Sequence, residues 1–346
     1  MPLPLHELPI IIISSILSFL ITLILTPLFN RFMKATGIVG IDIMKNSNEK
    51  IADMGGPGVI TGFVLGVFTY VSVKIFTPPG LNGLIYILAG LNAVLIITLI
   101  GIFDVLTGLM RQREGDGIFE RLKRRGIPAW AYFLLPLPAA IPLMAVKAGE
   151  STMALPLVGR VDFGVFYPLI LIPLSILCCS NATNFLAGFN GLEAGMGFIL
   201  HISLGLFAFQ NGEISASLLS LTFAASLLAF LRYNWYPAKV FPGDLNYTIG
   251  ALAACVAIIG NIEKFAIMVF IPWILEAVLK ASSGFRAESY GVLLEDGTVI
   301  AREDSIRSLT HITMNLGPLK ESQVALYLII LEIIVCLTAF LIVPYV

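Results

Sequence analysis

Along the chain, apolar runs of about twenty residues alternate with short connectors that carry Gly, Pro, Asn or charge. A helix rises 1.5 Å per residue, so runs of this length match hydrocarbon about 30 Å thick. They fall near 9–29, 57–76, 84–103, 128–147, 164–181, 196–211, 213–231, 246–261, 264–281 and 324–345. The pattern predicts an all-α polytopic membrane protein with about ten transmembrane helices. Two connectors, Asn211 to Glu213 and Gly260 to Glu263, are short enough to be kinks instead. The first run is too long for a removable leader and lacks a small-residue cleavage site. No internal repeat or Gly/Ser-rich linker divides the chain, so residues 1–346 are expected to form a single integral-membrane domain.

Composition sharpens this reading. Of 346 residues 58% are hydrophobic and only 12% charged, with a mean hydropathy of +0.93; soluble domains carry about 25% charged residues. The net charge of −1 conceals an asymmetry. With the N-terminus outside, 17 of the 21 Lys and Arg fall in inner loops, the arrangement that the positive-inside rule favours. Both termini are then expected outside. Cys178, Cys179, Cys255 and Cys336 all lie within apolar runs and lack metal or redox spacing.

In this topology the unusual polar residues gather on the inner side. The first inner segment, GIDIMKNSNEKIADMGGPG, carries Asp42 and Lys45 ahead of Gly55-Gly56. That glycine pair either lets backbone N–H groups approach an anion at a helix start or simply turns the chain into the second span. The second segment places Asp104 at the end of an apolar run, and a carboxylate at membrane depth is costly and usually functional. It continues to the basic run holding Lys123, a pattern that also anchors proteins to anionic leaflets. The third, NATNFLAGFNGLEAG (181–195), supplies Asn181, Asn184, Asn190 and Glu193 with Gly188, Gly191 and Gly195, far more than one helix cap requires. Asn181 and Asn184 share a helix face. The fourth, WYPAKVFPGDLNYTIG, puts Asp244 at the start of a span, as an N-cap or a metal ligand. The fifth, roughly 282–322, contains Asp296-Gly297 between β-prone runs, a hairpin signal, followed by Arg307, His311 and Asn315.

Oxygen ligands, basic groups and glycine turns at a membrane face suit phosphoryl transfer on a lipid. Mg²⁺ takes few protein oxygens and completes its shell with water and phosphate. Ten helices with buried acids also suit a transporter, but transporters bind near the midplane, often between repeats. A scaffold without activity is the third class considered.

The motifs NATNFLAGFNGLEAG, GIDIMK, MGGPG and VFPGD, with the hairpin-bearing last inner loop, resemble the polyprenyl-phosphate N-acetylhexosamine-1-phosphate transferases over the whole chain. The run AGFNGLEAG is most similar to enzymes that move GlcNAc-1-phosphate from UDP-GlcNAc onto dolichyl phosphate. Bacterial branches, which load undecaprenyl phosphate, usually carry DG-x-DGL there. The resemblance implies Mg²⁺ held by Asn184 and Asp244, and a donor loop formed by Asn190, Glu193, Gly188 and Gly191. Asp42, Lys45, Asn181 and Arg307 are implied substrate contacts; Asp104, Lys123 and His311 are implied catalytic residues. It also implies a lipid-open groove beside spans 164–181 and 264–281, pairing as a homodimer, and an active site on the cytoplasmic face. No nucleic acid is expected as a partner. A dolichol-type loop suits an archaeal cell membrane or the endoplasmic reticulum, and the compact length favours the former.

One departure has mechanistic weight. Where the family usually has adjacent aspartates, this chain reads Asp104-Val105. A phosphate monoester has its second pKa near 6, so the acceptor is mostly dianionic at neutral pH and needs little help from a base. Direct attack on the donor is therefore preferred over a covalent aspartyl-phosphate. Asp104→Asn is expected to keep most of the turnover measured as UMP release. A fall of about a hundredfold or more would restore a nucleophilic or essential-base role.

Overall fold

The computed structural model describes residues 3–42, 49–77, 82–113, 133–155, 159–243, 245–302 and 305–344, with backbone only for 104–113. Lys45, Lys123 and Asp244 lie outside the described residues, and so does the side chain of Asp104.

The architecture is helical: α1 (Leu8–Thr36), α2 (Gly56–Phe76), α3 (Leu84–Arg113), α4 (Ile141–Ala145), α5 (Ile172–Phe185), α6 (Leu192–Gln210), α7 (Ile214–Asn234), α8 (Leu245–Ile259), α9 (Glu263–Val269), α10 (Ile271–Ala281), α11 (Leu309–Met314) and α12 (Glu321–Ile342). Among the described residues, seven helices are long and apolar enough to cross a membrane, the fourth being Tyr167–Phe185, where a π-helical turn leads into α5. The other three expected spans take different forms. The 128–147 run begins outside the described residues, and its remainder is a 3₁₀ turn at Leu137–Ala140 followed by the five-residue α4. Pro136, Pro138 and Pro142 crowd this stretch and remove the donors a longer helix needs. The 246–261 run forms α8, only 15 residues long. The 264–281 run splits at Phe270 into α9 and α10 because Pro272 cannot donate to the preceding turn.

Helices α1, α2, α6, α7 and α8 make the packed centre. The close approach of α5 to α8 matters most for the site. Gly250 of α8 lies so near α5 that a Cβ would overlap the Cys179 carbonyl. Thr183 donates to the Asn246 carbonyl at 2.7 Å across the same contact.

At one end of the bundle β1 (Val39–Ile41), β2 (Lys50–Asp53) and β5 (Val240–Phe241) form a small sheet in the order β1-β2-β5. β2 and β5 are parallel, with Asp53 opposite Phe241. The N–H groups of Gly55 and Gly56 donate to the carbonyls of Phe241 and Pro242 at 2.8 and 3.2 Å. Of the two readings of that glycine pair, the structure therefore shows the turn: those donors join MGGPG to VFPGD. At the opposite end of the helices, β3 (Thr152–Leu155) pairs with β4 (Gly159–Asp162). Strands β6 (Gly291–Leu293) and β7 (Val299–Ala301) pair antiparallel around Asp296-Gly297.

Gly250→Ala is expected to force α5 and α8 apart at a cost of about 1–3 kcal/mol. A lowered melting temperature in detergent, with reduced activity in the fraction that stays folded, would register both effects.

Candidate active site

The motif 181–195 leaves α5, turns, and enters α6. Gly188 and Gly191 have φ of 135° and 82°, a region that glycine enters at little cost. A side chain at Gly188 would also strike Tyr290, and one at Gly191 would strike Trp235. The loop is held from four directions. Glu193 accepts from the Gly188 N–H at 2.7 Å, and Glu321 of α12 accepts from the Asn190 N–H at 2.9 Å. Asn234 of α7 accepts from the Gly191 N–H at 3.2 Å, and the Asn190 amide donates to Asp42 at 2.9 Å. Asn190 and Glu193 are only 5% and 4% exposed, so these groups are fixed in place before any ligand arrives.

Around this loop lies a polar cavity of about 250 Å³, whose walls include Asp42, Asp53, Asn190, Glu193, Phe241 and Tyr290. Four of the five inner segments thus meet at one place; the second contributes no described wall. The Asp53 carboxylate shows no hydrogen bond among the described residues, and burial pushes it above the usual aspartate range. Burial likewise raises the Tyr290 phenol, with Glu193 and Asp53 among the carboxylates nearby.

A second cavity of about 220 Å³ adjoins the first across Ala187 and Tyr290, and Asn184 lines it with Phe185, Lys280 and Glu288. The Asn184 amide donates to the Tyr247 hydroxyl at 3.0 Å. The oxygen of that side-chain amide shows no hydrogen bond among the described residues. Beyond it, between the 167–185 helix and α9–α10, an apolar cavity of about 650 Å³ is lined by Leu171, Leu174, Ala253, Ala257, Ile274 and Ala277. Leu174 and Ile274 are 49% and 41% exposed, so the groove opens sideways, where a lipid-open groove was expected.

The structure does not bring every expected residue to these cavities. Asn181 spends both amide hydrogens on the carbonyls of Phe133 and Leu177, at 2.9 and 2.8 Å, and lines neither polar cavity. The face it shares with Asn184 thus carries one structural and one cavity-facing amide. His311 is 1% exposed; its Nε2 donates to the Glu288 carbonyl at 2.9 Å and its Nδ1 accepts from the Arg307 N–H at 3.4 Å. It therefore braces the segment carrying Glu288 and Tyr290. The Arg307 guanidinium donates to Ser305 at 2.7 Å. Asp53, Phe241, Tyr290 and Lys280 were missed by sequence reasoning. Only Asp53 and Phe241 carried a signal, each lying within three residues of a Gly- or Pro-Gly turn that opens a span.

Comparison with known proteins follows the same lines. Residues 84–261 match the family model described as glycosyl transferase family 4. The chain belongs to that family. It is 31% identical over 332 residues, 95% of each chain, to the putative UDP-N-acetylglucosamine–dolichyl-phosphate N-acetylglucosaminephosphotransferase of Sulfolobus acidocaldarius. With the relative of the same name in Saccharolobus solfataricus it shares 32% over 321 residues, 92% of each chain. The UDP-N-acetylglucosamine–dolichyl-phosphate N-acetylglucosaminephosphotransferase of Dictyostelium discoideum is 26% identical, over 93% of this chain and 86% of that one. As a family 4 member this integral membrane protein is an enzyme, a glycosyl-1-phosphate transferase.

Asp53 gives a pH test with a definite sign. A buried carboxyl whose folded pKa is raised costs stability above its unfolded pKa and costs nothing below it. Asp53→Asn should therefore melt higher than the native protein near pH 7, with the gap closing at about pH 4. Activity should fall about tenfold or more if that carboxylate receives a substrate hydroxyl.

Proposed function

We propose that the enzyme transfers GlcNAc-1-phosphate from UDP-GlcNAc to dolichyl or another polyprenyl phosphate. The products are UMP and a GlcNAc-diphospho-lipid, the first intermediate of lipid-linked oligosaccharide assembly for N-glycans. One observation carries the reading: the cavity containing Asn184 shares Ala187 and Tyr290 with a pre-fixed polar cavity, and its Asn184 and Lys280 stand two residues and one residue along the chain from Ala182 and Ala281 of a side-opening apolar groove. A water-soluble nucleotide and a membrane-soluble acceptor need separate entrances that meet at the reacting phosphates. The names of the archaeal and Dictyostelium relatives support the same pair of substrates.

In the polar cavity Phe241 offers a flat apolar wall and Asp53 an acceptor, the two faces that a base ring and ribose hydroxyls present. Asn190 and Gly188, held by Asp42 and Glu193, shape the loop beside them. The donor's diphosphate then extends past Tyr290 towards Asn184. A phosphate oxygen of the acceptor attacks the β-phosphorus, a new P–O bond forms, and the bond to the α-phosphate oxygen breaks as UMP leaves. Positioning and neutralisation of charge supply most of the catalysis in such a transfer.

Mg²⁺ is the cofactor of this reading, with Asn184 and Asp244 as its protein ligands. The donor chemistry fits: a hard cation takes oxygen, and the Asn184 side-chain amide oxygen has no hydrogen-bond partner among the described residues. Among those residues no three His, Cys, Asp or Glu side chains cluster as a metal site, and Mg²⁺ commonly binds through one or two carboxylates plus substrate phosphates. Bound there, it would neutralise the diphosphate of the donor.

The test is UMP release by protein purified in detergent with UDP-GlcNAc, dolichyl phosphate and Mg²⁺. Release is expected to require lipid and metal and to fall at least about a hundredfold in Asp244→Ala. No release with any UDP-sugar or polyprenyl phosphate, from protein shown to be folded, would discard the reading. The active face is expected to be cytoplasmic, so in right-side-out vesicles UDP-GlcNAc should be used only after permeabilisation.

A further inference from the structure

Helix α10 has two faces with different chemistry. Ile274, Ala277, Val278 and Ala281 line the apolar groove. Trp273, Glu276 and Lys280, on another face, are buried at 0%, 0% and 4% exposure. Burying a lysine is expensive unless its charge is satisfied. Here Nζ donates to the Ala287 carbonyl at 2.7 Å and lies 3.7 Å from Glu276 Oε1. Glu276 is itself held from the far side: Ser308 Oγ donates to Oε1 at 2.8 Å and the Leu309 N–H donates to Oε2 at 2.7 Å. The ammonium is thus fixed by a chain running from α10 to the start of α11.

Its position is distinctive. Among the described residues lining the groove and the two polar cavities, Lys280 is the one cation. It lines the same cavity as Asn184 and directly precedes Ala281 at the groove wall, while Asn184 stands two residues beyond the groove residue Ala182. Phe185 and Phe285, with ring centroids 5.1 Å apart, line the same cavity. Glu288, the other charged residue in its lining, is paired with Arg302 at 2.7 Å. An amphiphile whose tail occupies the groove would bring its head group to this ammonium.

We propose that Lys280 binds the phosphate monoester of the acceptor lipid, and that Glu276 is the positioning residue that aims it. The inference rests on the transferase reading for what the bound phosphate does next, but the site itself is a phosphate-monoester site at the mouth of an apolar groove. A point charge on a flexible stem suits a dianion that must be held and then surrendered as its oxygen attacks. The Glu276 carboxylate, already bonded to Ser308 and Leu309, orients the ammonium from 3.7 Å.

Two measurements test this. In steady-state kinetics Lys280→Met should raise the KM for polyprenyl phosphate about tenfold to a hundredfold, leave the KM for UDP-GlcNAc within about threefold, and be largely rescued in Lys280→Arg. Glu276→Gln should give the same one-sided change at a smaller size, and it keeps the test open if Lys280→Met does not fold. An unchanged acceptor KM, or equal rises in both KM values, would overturn the proposal; the second result would place Lys280 at the donor diphosphate or in a purely structural role. Binding without turnover separates the two readings. Farnesyl phosphate, but not farnesol, should raise the melting temperature of the native protein in the absence of donor, and Lys280→Met should abolish that shift while keeping the shift caused by UDP. If the lysine-dependent shift appears but no UDP-sugar releases UMP, the transferase reading fails and the phosphate site stands. If UMP is released while the shift is the same in both proteins, the site fails and the transferase stands.

Discussion

Hydrocarbon supplies no hydrogen-bond partner, so a polar group inside it must find one in the protein or be placed at the membrane surface. Both solutions are visible here. Ser18 donates to the Thr222 carbonyl at 3.0 Å within the packed centre, and Asn181 gives both amide hydrogens to backbone carbonyls. The side chains that line polar cavities with oxygens unbonded among the described residues, Asp53 and Asn184, gather where helices end and loops begin. A polar, cavity-lined surface at the end of the bundle follows from that constraint, because there carboxylates and amides can await a ligand without a prohibitive desolvation cost.

Rigidity of the site comes from reciprocal bonds between segments distant in sequence. The loop after α5 is tied to α7 by Asn234, to α12 by Glu321 and to the first inner segment by Asp42. The small β1-β2-β5 sheet sets Asp53 beside Phe241, and the contact at Gly250 brings Asn184 to Tyr247. Each link is modest alone. Together they remove most of the conformational freedom that donor binding would otherwise have to overcome. His311 belongs to this scaffold, since both ring nitrogens bond to backbone around the Glu288–Tyr290 wall.

The break between α9 and α10 shows how one residue shapes function through packing. Pro272 ends a continuous helix, and the resulting α10 presents alanines to the groove while Glu276 and Lys280 face the loop side. One short helix thereby lines both the apolar groove and the adjoining polar cavity.

The sequence alone determined the membrane class, through its twenty-residue apolar runs, and the clustering of polar chemistry in a few connecting segments; it made the family legible through the resemblance of the motif at 181–195. It also pointed to Asn190, Glu193, Asp42 and Gly188, whose density exceeded what caps and turns require. Span number was less legible: Pro-rich, short or broken helices keep the same apolar composition as full spans, so hydropathy cannot separate them. Only the tertiary structure decided that Asn181 and His311 bond within the protein while Asp53, Phe241, Tyr290 and Lys280 line the cavities. The reason is geometric. Whether a polar side chain meets a backbone carbonyl or an open cavity depends partly on neighbours distant in sequence, as Asn181 with Phe133 and Asn190 with Asp42 show, and no local pattern records them.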